Sequence, residues 1–128
     1  MNNPYGVTRQ MLEDLIITGV EGGIGYWSCI VDHDKGEGEF LSTSATQGGW
    51  LDIVEHPDPR EHDGGDWVDE NDEVLEVFRL DLDRAVAALP VFMDRAPNLF
   101  GDFLSGDYDV WAGDAFIQCA LLGEVRYG

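Results

Sequence analysis

At 128 residues, with 44% hydrophobic and 11% aromatic side chains, the chain suits one domain around one core and is not a disordered acidic tail. Twenty-six acids against seven bases give a formal charge of −19, which repels DNA, RNA and anionic membranes and points toward basic partners. No apolar run approaches the roughly 20 residues that cross a bilayer, and "MNNPYGVTRQ" holds no signal-peptide core, so a soluble protein of the cytoplasm is expected.

From the N-terminus, "TRQMLEDLIITGVE" predicts a helix: Thr8 is a cap, and Met11, Leu12, Leu15, Ile16 and Val20 recur at three- and four-residue spacing. Gly22-Gly23 stops it, and the β-branched and aromatic run "IGYWSCIVD" predicts a strand. "DHDKGEGE" is a turn and "FLSTSATQGG" an ambiguous stretch compatible with a short returning strand. "WLDIVEH" alternates like a strand until Pro57 and Pro59 end it. An acidic loop around residues 56–73 follows, and "VLEVFRLDL" resumes strand character.

Asp81 or Asp83 caps a second helix, "DRAVAAL", which Pro90 and Pro97 limit or kink. "PNLFGDFLSGDYD" reads as a loop. Asp107 or Asp109 caps a last, well-buried helix, "VWAGDAFIQCALLGEV". The expected fold is α+β: a small antiparallel sheet of three to four strands with about three helices packed on it.

Known chemistries find little purchase. Cys29 and Cys119, without CxxC spacing and each in an apolar segment, read as free buried thiols. His33, His56 and His62 lie near aspartates that could hold a cation, but their spacing matches no metal motif; no cofactor is expected. "DHDKGEGEFLST" departs from a calcium-binding loop, lacking the glutamate at its twelfth position. "EGGIGYW" follows a helix and lacks GK[ST], so its glycines serve the turn and not a phosphate. With no GxSxG and no histidine placed beside a cysteine, no catalytic residue is assigned. Trp27, Trp50 and Trp111 have apolar neighbours and read as core, whereas Trp67 sits among charges as either a loop anchor or an exposed contact.

"EGGIGYWSCI" (with Glu21 to Trp27) and "DAFIQCALLGEVRYG" (with Ala120 to Gly128) resemble the end segments of a family of small proteins encoded by tailed phages. Leu122 stands where that family carries phenylalanine, and Arg126 replaces an apolar residue. The resemblance implies a phage or mobile-element origin and no particular chemistry.

The acids themselves are the remaining signal. His56–Glu76 holds nine of them with one arginine, and Glu55–Asp83 holds twelve with two. A globule of this length is about 36 Å across, and ~36 Å of duplex carries about 20 charges, close to the net charge here. The leading expectation is a nucleic-acid mimic that inhibits a host defence nuclease or CRISPR effector by occupying its basic surface. Asp58, Glu61, Asp63, Asp66, Asp69, Glu70, Asp72, Glu73 and Glu76 would stand in for phosphates, with Trp67 as an aromatic contact. The alternatives are a non-enzymatic accessory protein whose acidity is adaptation to salt or host composition, and a metal- or small-molecule-binding protein using the His/Asp cluster. A homodimer is compatible with each.

Overall fold

The computed structural model of the chain describes residues 5–128. Thr8 opens α1 (Arg9–Gly22), its hydroxyl accepting from the Met11 amide at 3.1 Å and so satisfying a donor that a helix start leaves unpaired. The predicted apolar stripe turns inward, with Leu12, Leu15 and Ile16 fully buried. Ile24–Tyr26 then make a 3-10 turn, so the strand expected from Ile24 begins only at Cys29.

Five strands follow: β1 (Cys29–Asp34), β2 (Trp50–Val54), β3 (Arg60–Glu61), β4 (Trp67–Val68) and β5 (Val77–Leu80). β1, β2 and β5 form an antiparallel sheet in the order β1-β2-β5, with a bulge in β1 between Ile30 and Asp32; β3 and β4 pair separately. Leu51, Ile53 and Leu80 are fully buried in the core. Asp52 and its partner Arg79 stand on the other face of the sheet. The Arg79 guanidinium lies 3.6 Å over the Trp50 ring and donates to both Asp52 oxygens at 2.8 and 3.0 Å.

"FLSTSATQGG" is not a strand. Leu41–Thr46 form a 3-10 helix held on α1, where Arg9 donates to the Thr46 carbonyl (Nε at 2.8 Å) and Glu13 accepts from Gln47 at 2.7 Å and from the Thr46 hydroxyl. Those two bonds, first Thr46 and then Gln47, hold the Glu13 carboxyl below its ordinary range.

The C-terminal half is more helical than foreseen, with α2 (Leu82–Ala87), α3 (Leu89–Arg95), α4 (Pro97–Leu104) and α5 (Val110–Leu122). Pro90 and Pro97 limit the helices as expected, with α2 ending at Ala87 and α3 at Arg95, but each also helps to open the next helix. Each falls in a first turn, where a missing N–H costs nothing. Residues 97–104, expected as loop, are therefore helical, and the described residues hold five α-helices where about three were expected. Asp81 and Asp109 are the caps, accepting from Arg84 at 2.8 Å and from Trp111 at 3.0 Å.

α5 is the centre of the molecule, buried from Ala112 to Leu121. It crosses α1 at Gly113 and Gly19 with backbone against backbone: a Cβ on Gly113 would lie 2.5 Å from the Gly19 nitrogen and 2.7 Å from its Cα. Phe92 of α3 meets Phe100 and Phe116 edge-on at 5.7 and 5.5 Å, closing the core. Trp27 is buried as predicted. Trp50 is only half-buried beneath Arg79, and Trp111, expected in the core, is 62% exposed. Both cysteines are free; Cys119 is buried and Cys29 only partly so. Among the described residues no helix is long and apolar enough to cross a membrane.

Candidate functional site

Pro57 and Pro59 withhold the amides that would continue β2, so the chain leaves the sheet after Val54. It returns through the stretch expected as an acidic loop, which carries two short paired strands. Glu61 pairs with Trp67 and Arg60 with Val68 across β3 and β4. Gly64 and Gly65, at φ +109° and +94°, make the connection, closed by His62 N–H to the Asp66 carbonyl at 2.7 Å.

A second turn follows. The Asp69 carboxylate accepts from the Asn71 and Glu73 amides at 2.8 and 3.0 Å, and Asp72 takes the left-handed φ of +60°. Val68 bridges to Val74, and Leu75 donates to the Trp67 carbonyl at 2.8 Å.

The predicted site residues are thereby fixed on one short segment. Glu61 and Trp67 face each other, Asp63 and Asp66 flank the glycine turn, and Asp69, Glu70, Asp72 and Glu73 gather in the second turn. Asp58 lies before β3 and Glu76 before β5. All nine acids except the half-buried Asp69 are exposed; Trp67 is half-buried, its neighbour Val68 buried. Arg60 pairs with Asp72 at 2.7 Å and His56 with Glu70 at 2.6 Å. Among the described residues Asp58, Glu61, Asp63, Asp66, Glu73 and Glu76 make no ion pair.

The histidines serve this scaffold. His56 Nδ1 accepts from the Asp58 amide at 3.0 Å, which leaves Nε2–H to face Glu70. Glu70 is held below the usual carboxylate range, first by its own backbone N–H and then by His56. His62 turns to the Asp63 carbonyl, and exposed His33 lies on β1. Among the described residues no three His, Cys, Asp or Glu side chains converge as a cation site.

A second polar constellation escaped the sequence reading. Asp114 of α5, 4% exposed, accepts from the Tyr26 hydroxyl at 2.6 Å, the Trp27 indole at 2.8 Å and Gln118 at 3.0 Å. Gln118, fully buried, accepts from the Arg126 and Tyr127 amides at 2.7 and 2.8 Å and donates to the Tyr127 carbonyl. Tyr127 stacks on Trp27 at 5.3 Å, and its hydroxyl reaches Glu55, which also pairs with Arg126 at 2.7 Å. Residues near the two ends of the described chain, Tyr26 and Trp27 on one side and Gln118, Arg126 and Tyr127 on the other, therefore meet around one buried carboxylate. Three donors from two parts of the chain converge on it, so the carboxylate locks those segments together.

The Tyr26 hydroxyl is pushed up to about 12, first by desolvation and then by Asp114. A phenol raised above its ordinary value of 10.0 stabilises the fold fully below that pH and loses the contribution as pH climbs toward about 12. Urea midpoints should therefore fall across that interval, and Tyr26→Phe should flatten part of the fall. Tyr108, Tyr127 and the thiols of Cys119 and Cys29, also raised, contribute to the rest. An equal slope in wild type and Tyr26→Phe would contradict this.

No protein-family model, curated protein or solved structure matches this chain.

Proposed function

We propose that the protein is a polyanionic binding module that occupies a basic, nucleic-acid-binding surface of a partner protein, in the manner of a phage-encoded inhibitor of a nuclease or CRISPR effector. The observation that carries this reading is the acidic hairpin. Six carboxylates without ion pairs among the described residues stand on a segment that two turns and its own backbone bonds hold in place. Fixing them beforehand removes the ordering cost that a disordered acidic tail meets on binding. Their summed field speeds encounter with a cationic groove.

The runner-up reading, acidity as adaptation to salt or host composition, draws on exposed acids elsewhere, such as Asp34, Glu37 and Asp94. One variant separates the two. Glu61→Gln, Asp63→Asn, Asp66→Asn and Glu73→Gln combined remove only exposed groups without ion pairs, so the fold should survive. Capture from a bacterial lysate at low salt should recover a nuclease or effector subunit on the wild type, displaceable by duplex DNA. The variant's association rate should drop by at least about tenfold. Capture undiminished in the variant would remove the hairpin from the function.

A further inference from the structure

We infer that the surface around Trp111 is a second docking site, and that its occupant is a protein segment presenting arginine or lysine side chains. Only the first turn of α5 emerges from the core, and it carries Val110 and Trp111, 39% and 62% exposed. Three adjoining depressions share Trp111 as a wall. The largest, about 320 Å³, runs past Leu99 and Tyr108 to Asp102, Asp107 and Asp109; the others extend to Tyr26 and to Val125. Single exposed apolar residues are ordinary on a protein surface. Here four of the nine large ones among the described residues (Tyr26, Val110, Trp111, Val125) line one trough, which marks a contact surface.

Charge selects the occupant. Among the described residues no lysine or arginine lines any of the three depressions, whereas three aspartates edge one of them. A second copy of this chain would bring an equal acidic rim and another net −19 against it. A cationic segment meets no such penalty. Its aliphatic stems would cover Leu99 and Val125 while its charged heads reach the tryptophan face and the carboxylates.

The molecule holds a template for that contact in Arg79, stacked 3.6 Å over Trp50 and bound by Asp52. Around Trp111 the ring and the carboxylates are present and the guanidinium is left for a partner to supply. No residue of the acidic hairpin lines this trough, so the inference stands apart from the function proposed above.

The test uses the whole protein labelled with 15N and a blocked peptide with two arginines among leucines, against its glutamate counterpart. Four tryptophans give four indole N–H signals, and loss of one in Trp111→Ala assigns it. The arginine peptide should move the Trp111 signal and the glutamate peptide should not. Trp111→Ala, and separately Asp102→Asn with Asp107→Asn, should each weaken arginine-peptide binding by at least about tenfold. The four-acid hairpin variant should change it less than about threefold, since none of those acids lines the trough and salt screens exposed charges that make no direct contact. Asp109 is left intact because it caps α5. Shifts confined to the hairpin, or unchanged affinity in Trp111→Ala, would overturn the inference. So would a dimer in sedimentation equilibrium that Trp111→Ala abolishes, since that gives the face to a second copy.

Discussion

Gly113→Ala should destabilise the fold by about 3 kcal/mol, although the same change in an exposed helix stabilises by up to about 1 kcal/mol. The added methyl would sit 2.5 Å from the Gly19 nitrogen, 2.7 Å from its Cα and 2.9 Å from the Leu15 carbonyl oxygen. All three are backbone atoms, which no rotamer change can move aside. α1 and α5 must therefore part, and the packing of Leu15 and Ile117 loosens with them. Urea unfolding with an unchanged m-value is the measurement, and a fall in Tm of roughly 10 °C should accompany it. Gly101→Ala on α4 is the control: a Cβ there meets nothing within 4 Å, so it should be neutral or stabilising. Equal behaviour of the two variants would show that the crossing is not closed backbone to backbone.

Asp114→Ala should cost about 3–5 kcal/mol, because it strands buried donors that one carboxylate satisfies. The Trp27 indole and the Gln118 amide both depend on Asp114 Oδ1, at 2.8 and 3.0 Å. No cation pairs with this carboxylate among the described residues, so three charge-assisted hydrogen bonds alone offset its burial. Asp114→Asn retains an acceptor at Oδ1 and should lose less than half as much. The near-ultraviolet circular dichroism of the Trp27–Tyr127 stack should weaken in the alanine variant and persist in the asparagine one. An alanine variant as stable as wild type would mean that the lock is dispensable to the fold.

What could be read in advance was local. Thr8, Asp81 and Asp109 announced their helices because a cap needs only a short side chain and an amide two or three residues on. α4 was missed although Leu99, Phe100 and Phe103 carry helical spacing. Pro97 was read as a break, yet proline in a first turn starts a helix as readily as it stops one. Trp111 was assigned to the core from its apolar neighbours, but on the first turn of a helix burial changes from one residue to the next: Ala112 is buried and Trp111 is not. The acids of the hairpin were visible as composition. Their fixed arrangement was not, since it rests on turns at Gly64-Gly65 and Asp69–Asp72 whose backbone angles pattern alone leaves open. Asp114 left one faint trace: a carboxylate four residues before Gln118 in an otherwise apolar helix. Its partners Tyr26 and Trp27 lie 88 and 87 residues away, beyond any local pattern.

Val54 and Val77 face each other across β2 and β5. The chain thus departs from the sheet and rejoins it at neighbouring points, and topologically the charged segment is a graft at the tip of an ordinary two-strand ribbon. A two-residue turn is long enough to join such ends. Selection could accordingly lengthen, exchange or prune this appendage without rerouting a strand, while the trunk keeps Glu55 and the partners it ties together. Variation in this charged segment is then decoupled from the requirement that the trunk fold.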